Sequence, residues 1–226
     1  MVTSVYSLPN TKFRSHQWGF MSNDGQFYSE FSGQMQTVEY GGGFWQASFT
    51  LSGMKGDGAD GLAWKAFFFS FRGRNGRFYA YDLDKRTISY TGASIGTPLV
   101  NGANQIGNML VTDGWTNSIV IKAGSYIEFN SEYKMITEDV TVDGSGNATL
   151  PIFPAMRASP PDNEPIVTTN PKCLMMLDNT NQQWQSDAAK VVDITFTARE
   201  AFDFTTFLLT EAGDNLITEA GDYLVT

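Results

Sequence analysis

The sequence predicts a mainly β protein with one helix, and three observations support this fold class. Short segments alternate apolar and polar residues, which is the pattern of strands that bury one face. Glycine is frequent, with 22 of 226 residues, and long helical or heptad repeats are missing. Hydrophobic residues make up 42% of the chain and charged residues 17%, so the chain has enough apolar surface to fold. Together these features are typical of many short strands joined by turns.

Residues 13–54 are predicted to form two or three strands. In the segment FWQASFTLSGM every second residue is apolar: Trp45, Ala47, Phe49 and Leu51. This strict alternation predicts a half-buried strand. Residues 27–40 alternate in the same way, and the three glycines at 41–43 are predicted to form the turn between the two strands.

One helix is predicted in the segment GDGADGLAWKAFFFSFRGRNGRF. Asp60 is a candidate N-cap, and Gly73 follows the end of the periodic pattern. The residues at helical spacing are Ala63, Ala66, Phe67, Ser70 and Phe71. Three consecutive phenylalanines would also suit a buried strand, but the signals at both ends favour the helix. Residues 77–83 then predict a strand.

A change in the sequence pattern, to short strand candidates separated by turns, predicts an inserted β module at residues 85–171. Its strand candidates lie between Asp-Gly and Ala-Gly turns, near 99–101, 108–112, 118–122, 125–130, 133–142 and 147–153. It ends in SPPDNEP, whose prolines exclude a central strand. Residues 172–203 return to the earlier style, with an apolar residue at every second position: Val192, Ile194, Phe196 and Ala198. We therefore predict a first β domain of residues 1–84 and 172–203, interrupted by a peripheral module.

No catalytic residue, cofactor site or metal site is predicted. GASIG, residues 92–96, matches the nucleophile-elbow pattern at Ser94, but its flanks predict no helix. The one histidine, His16, lies upstream, where it does not suit that pattern as a base. Cys173 would need the same base, so a small buried residue is expected instead. Zinc needs several His or Cys ligands, and ordinary turns explain the Asp-Gly segments DGSGN and GDGADG better than calcium does.

The formal charge of −9 argues against a surface that grips nucleic acid, because such surfaces neutralise phosphates with Lys and Arg. Arg72, Arg74 and Arg77 crowd the end of the predicted helix. A phosphate site is one interpretation, and pairing with the carboxylates of a neighbouring subunit is the favoured one. The N-terminal residues show no secretion signal and no segment suits a membrane span, so synthesis in the cytoplasm is expected.

Six segments, in this order, resemble the distal tail proteins of long-tailed bacteriophages. They are WQASFTLSGM, AWKAFFFSFRGRNGRFYAYD, VNGANQIGNMLVTDGW, IKAGSYIEF, DGSGNATLPIFPAMRASPPDNEPI and VDITFTAREAF. The resemblance covers about residues 13–202, and it rests on the order and spacing of the segments together.

The resemblance implies a belt domain, which is a β-sandwich or split barrel with one helix, similar in shape to the tail-tube subunit. The inserted module would be a small peripheral β-barrel. Such proteins form a ring, hexameric in this family, that joins the tail tube to the hub or tip and gives fibres or receptor-binding proteins a platform. The implied location is the virion tail, after synthesis in the host cytoplasm. DNA would pass through the lumen without specific binding.

Two alternatives stay open from the sequence. One is a carbohydrate-binding module, with Trp115 and its neighbours in the insert as the sugar-binding face. The other is the tail-tube subunit itself, which is less favoured because residues 85–171 would crowd every layer of a stacked tube.

The C-terminal residues 204–226 contain a repeat, since TEAGD occurs at 210–214 and again at 218–222. Strands of three residues do not persist alone in water, so the short apolar segments around the repeat are predicted to add to a sheet edge of an adjacent subunit or the next tail component. The candidate contact residues are Leu209, Leu216, Ile217, Tyr223 and Leu224. The alternative is a meander that packs on its own domain.

Overall fold

A computed structural model describes residues 5–10, 12–84, 87–179 and 183–202. The predicted fold class is confirmed at the level of a mainly β protein, with one helix among these residues. The helix is α1 (Ala59–Ser70). The strands are β1 (Val5–Tyr6), β2 (Ser15–Tyr28), β3 (Met35–Lys55), β4 (Arg77–Ala80), β5 (Tyr90–Thr91), β6 (Gly96–Val100), β7 (Gly107–Trp115), β8 (Val120–Ile121), β9 (Tyr126–Phe129), β10 (Glu132–Ile136), β11 (Val140–Thr141), β12 (Ala148–Met156), β13 (Cys173–Leu177), β14 (Gln185–Ser186) and β15 (Val191–Glu200).

The largest sheet has seven strands in the order β1-β4-β13-β15-β3-β2, and β14 pairs with one end of β15. Its core face carries the two alternating sets that the sequence predicts, on β3 and on β15, and all eight residues are buried. The helix α1 covers this face with an aromatic layer, in which Phe68 contacts Phe196 with 5.1 Å between the ring centroids. Alternation at period two is thus a reliable guide where a strand separates a core from solvent.

The helix buries a different face from the one that the spacing predicts. Its N-cap is Gly58, which provides no side-chain bond, and Asp60 lies within the first turn. Gly61, Trp64, Phe67 and Phe68 are buried, whereas Ala63 and Ala66 of the predicted set are exposed. The reason is a close approach at the start of the helix, because a Cβ atom at Gly61 would lie 2.3 Å from the carbonyl oxygen of Lys55. Only glycine fits there.

The first two long strands form one extended hairpin, and the turn predicted at Gly41–Gly43 is wrong. The chain reverses at residues 29–34, where the N–H of Ser29 donates to the carbonyl of Gln34. The strand β3 runs through the three glycines, which face β2 at an irregularity between Met21 and Asn23. Extra residues on one strand form a bulge that bends the ribbon, and glycine accommodates its backbone, as at Gly42 with φ of 93°.

Residues 90–156 supply two further sheets, in the orders β6-β7-β12-β10-β9 and β11-β8-β5. They enclose a second core that includes Leu110, Trp115 and Ile121. The strand predicted over 133–142 is two strands, β10 and β11, which belong to different sheets. All strands of the seven-stranded sheet lie before residue 81 or after residue 172. The domain boundaries themselves stay a prediction, and residues 204–226 lie outside the described residues.

In the described part of the chain, no helix has the length and apolar composition that crossing a bilayer requires.

Candidate interaction surface

The end of the β2–β3 hairpin extends past the bulge as a two-stranded ribbon. We call residues 22–42 the arm. Its strands pair in register from Asn23 opposite Tyr40 to Tyr28 opposite Met35. Two-stranded ribbons are marginally stable in water, so a ribbon of this length normally gains stability from a surface that covers it.

The arm leaves large apolar side chains in solvent. Phe27, Tyr28 and Met35 are 57%, 64% and 62% exposed, and Phe31 at the turn is fully exposed. None of them belongs to the two hydrophobic cores. Single exposed apolar residues are common on monomeric proteins, but a contiguous group of this kind marks an interaction site.

The two faces of the arm differ in chemistry. Directly paired residues of antiparallel strands point to the same side, so Phe27, Val38 and Tyr40 share one face. The ring of Tyr40 lies over Gly25, where a Cβ atom would be only 2.7 Å from it. On the other face Asp24 lies directly opposite Glu39. Like charges in this position destabilise a ribbon unless a cation approaches.

The strand β2 is also an edge of the seven-stranded sheet. Within the described residues, β3 is its one hydrogen-bonded neighbour along 14 residues. An unpaired edge exposes backbone N–H and C=O groups that can pair with another chain. The arm and this edge therefore combine exposed apolar side chains with backbone groups that can pair with another chain.

A cleft of about 570 Å³ separates the base of the arm from β12. Its lining includes Tyr40, Asn108 and Arg157. At its inner end Phe20 contacts Phe153, with 4.6 Å between the ring centroids. This ring contact joins β2 to β12 just before the arm begins.

Of the three arginines predicted as contact residues, Arg72 and Arg74 lie in the loop between α1 and β4, and Arg77 is the first residue of β4. They follow the helix, whose last turn contains no basic residue. Arg72 is exposed in the left-handed region, with φ of 50°. Arg74 donates to the carbonyl oxygen of Asp178, and Arg77 donates to that of Arg74 at 2.8 Å. The carbonyl acceptor of Arg74 fixes the position of its guanidinium but carries no formal charge.

Four charged residues cluster where the seven-stranded sheet meets the five-stranded sheet, and we call this set the ionic junction; Glu132, Lys134 and Glu200 are buried, and Arg157 is half-buried. Arg157 makes a bidentate pair with Glu200, with N–O distances of 2.7 and 2.9 Å. Glu200 also accepts a hydrogen bond from the backbone N–H of Trp45. Lys134, which is fully buried, pairs with Glu132 at 2.5 Å and donates to the carbonyl of Ala155. Burial lowers the pKa of Lys134, and the adjacent Glu132 opposes this shift.

A second polar cluster lies at His16 of β2, next to the segment that follows β4. Its Nε2 lies 3.1 Å from Asp82 and 3.9 Å from Asp84. These three side chains could each offer one metal ligand, but Asp82 already accepts hydrogen bonds from the backbone N–H of Asp84 and from the hydroxyl of Tyr126. Burial and Asp82 together raise the pKa of Tyr126. These hydrogen bonds account for the position of Asp82 without a metal ion.

Three residues that the sequence offers as candidates for catalysis or metal binding, Ser94, Cys173 and Asp143, occupy ordinary structural positions in the fold. Ser94 lies exposed in the loop between β5 and β6, without the helix that a nucleophile elbow needs. Cys173 is buried, and burial raises the pKa of its thiol. Asp143 of DGSGN accepts the backbone N–H groups of Ser145 and Asn147, as in an ordinary turn.

Trp115, which the carbohydrate-binding alternative places on its sugar-binding face, is buried. Its ring is 3% exposed within the second core, and its Nε1 donates to Thr112 at 2.7 Å. A tryptophan that binds sugar must offer its ring face to solvent.

Comparison with models of known protein families and with curated proteins finds no match for this chain.

Two parts of this site are missing from the sequence predictions. The arm is missed because Gly41–Gly43 imitates a turn, although the alternation over residues 27–40 is a usable signal. The ionic junction is missed because Glu132 and Lys134 look like the solvent side of an alternating strand. Their burial depends on a second sheet whose position the local pattern does not contain.

Proposed function

We propose that this protein is a structural component of the tail of a long-tailed bacteriophage, where copies of it form a ring at the distal end of the tail tube. Its partners are further copies of itself, the tube protein, the hub or tip protein, and peripheral fibres or receptor-binding proteins. It acts by holding these components together, and it carries out no reaction.

The arm is the observation that supports this proposal most directly. A two-stranded ribbon with exposed Phe27, Tyr28 and Phe31 is unfavourable for a protein that works as a monomer. A subunit that meets identical neighbours can cover such a ribbon in every copy at once. The long unpaired edge of β2 gives the neighbours a further place to add a strand.

The resemblance to distal tail proteins supplies the location in the virion. The ionic junction fits a structural role, because the Arg157–Glu200 pair fixes the two sheets to each other.

Native mass spectrometry and negative-stain microscopy of the purified full chain test the proposal. The wild-type protein should form closed rings with a channel wide enough for duplex DNA. The double variant Phe27→Ser/Tyr28→Ser should remain monomeric, because it removes two apolar side chains that a neighbour would cover. Ile106→Ser is the matched control, since Ile106 is 81% exposed and lies outside the arm.

Rings should therefore appear for the wild type and for Ile106→Ser. A monomeric wild-type protein at every concentration, or rings formed equally well by the arm variant, would refute the proposal.

A further inference from the structure

The arm is acidic along its whole length. Residues 22–42 contain three acidic residues, Asp24, Glu30 and Glu39, and no Lys or Arg. All three are exposed, and none forms an ion pair with another described residue. Asp24 and Glu39 face each other across the ribbon, so each raises the cost of the other's charge. This pair favours a cationic partner.

The loop between α1 and β4 has the opposite composition. Residues 72–77, RGRNGR, contain three arginines and no acidic residue. Arg72 and Arg74 are exposed, and Arg74 donates to the carbonyl oxygen of Asp178. In a chain of net charge −9, the two exposed arginines, Arg72 and Arg74, form a positively charged surface that is complementary to the arm.

These two surfaces lie on opposite sides of the same sheet. The arm continues β2 at one edge, and the loop leads into β4, which is separated from β2 by β3, β15 and β13. Four strand spacings of about 4.8 Å each lie between β2 and β4. This distance exceeds the screening length of about 8 Å at physiological ionic strength. The charges on the loop of one chain therefore do little to neutralise its own arm.

We infer that the acidic arm of one copy docks on the arginine loop, residues 72–77, of the next copy. The inference rests on the proposed function and adds to it the two surfaces in contact and their polarity. Two different surfaces at opposite sides of a subunit make a head-to-tail contact, and such contacts close into rings when the rotation between copies allows it. Arginine is suited to the site because its planar guanidinium can bind a carboxylate through two hydrogen bonds.

Charge reversal on each surface tests the contact. The arm variant is Asp24→Lys/Glu39→Lys, and the loop variant is Arg72→Glu/Arg74→Glu. In each variant alone, every arm meets a loop of like charge, so the concentration at half-assembly should rise by at least about tenfold. Thermal unfolding of each variant as a monomer checks that Arg74, which bonds Asp178, is not needed for folding.

Mixing the two variants gives the decisive readout. In an alternating ring each reversed arm meets a reversed loop, and each native arm meets a native loop. The mixture should therefore assemble at the wild-type concentration, with equal numbers of the two variants in each ring. Native mass spectrometry measures this ratio. The matched control is Lys12→Glu/Lys190→Glu, which reverses two exposed lysines outside the loop and should assemble like the wild type.

The failures of the two proposals are distinguishable. If the wild type assembles and the charge variants assemble equally well, or if the mixture does not recover, then the head-to-tail contact is wrong and the ring proposal stands. If the wild type does not assemble at all, then both proposals are wrong.

Discussion

The ionic junction and the arm place carboxylates in opposite surroundings. At the junction Glu200 and Glu132 are buried, and their oxygens meet Arg157, Lys134 and backbone N–H groups. On the arm Asp24 and Glu39 are exposed and lie opposite each other. A buried charge must be paired within the chain, because desolvation without a partner costs several kcal/mol. Exposed like charges stay solvated in the monomer, so they remain available to a cationic partner from another chain.

Because of this difference, we expect substitutions at the junction to affect the stability of the monomer and substitutions on the arm to affect its assembly. Changes at the junction should lower the free energy of unfolding, since the chain itself completes those contacts. Changes on the arm should leave folding almost unaltered and remove association. A molecule built in this way can be correctly folded before it meets its neighbours.

The largest effect on stability is expected for Glu200→Ala. The substitution leaves the guanidinium of Arg157 largely buried without its bidentate partner, and it leaves the backbone N–H of Trp45 without its acceptor. The free energy of unfolding should fall by about 3 to 5 kcal/mol. Urea denaturation followed by tryptophan fluorescence measures this loss.

Glu138→Ala is the control for this prediction, because Glu138 is exposed in the loop between β10 and β11. Its effect should stay within about 0.5 kcal/mol. Equal effects of the two substitutions would show that Glu200 contributes no more to the free energy of unfolding than an exposed carboxylate does.

The arm variant Phe27→Ser/Tyr28→Ser tests the other side of the comparison. Both side chains are mostly in solvent, so the free energy of unfolding of the monomer should change by less than about 1 kcal/mol. Urea denaturation at a concentration below that of assembly gives the value. A loss as large as that of Glu200→Ala would mean that the arm packs on its own chain.

Glu128 is an intermediate case between the two regions. Burial raises the pKa of its carboxyl group above 4.5, and the backbone N–H of Lys172, 2.7 Å away, opposes this shift. The folded state therefore holds the proton more tightly than the unfolded state does. The stability from this group is fully present below the unfolded pKa and is lost as the pH rises through the folded pKa.

Glu128→Gln removes this dependence. The free energy of unfolding of the wild type minus that of the variant should fall as the pH rises from about 4 to about 7. Denaturant titrations of both proteins at several pH values measure the difference. A difference that rises with pH would give Glu128 a depressed pKa instead, as expected for a carboxylate that is fully paired.

The smallest effect is expected at Cys173, which is the single cysteine of the chain and is buried in the first core. Burial raises the pKa of its thiol, so a thiolate-specific reagent should label it slowly at about pH 8. The labelling rate should be the same in the wild type and in the arm variant. Faster labelling in the arm variant would show that the arm protects the core.

Local sequence patterns correctly predict those strands that have one face towards a core and the other face towards solvent. The alternation in β3 and β15 fixes their buried residues, and the mainly β class follows from it. The helix is predicted in place but with a rotated face, because contact of Gly61 with the backbone of Lys55 decides its orientation. No pattern within α1 contains that contact.

The junction and the arm depend on long-range geometry. Lys134 and Glu132 alternate like solvent-facing residues, and they are buried because β12 and the segment after it cover them. The glycines at 41–43 predict a turn by composition, whereas the pairing of β2 with β3 on both sides of them makes a bulge. The charge of the arginine loop is the feature that predicts a contact there. Its position on the far side of the sheet from the arm follows from the strand order, which the sequence pattern does not contain.

The mass of the mixed charge-reversal assembly tests the central claim most directly. If neighbouring copies meet through the arm and residues 72–77, the two variants should be monomeric alone and form rings together, with equal numbers of each in every particle. Rings that either variant forms alone at the wild-type concentration, or a mixture that stays monomeric while the wild type assembles, would contradict it.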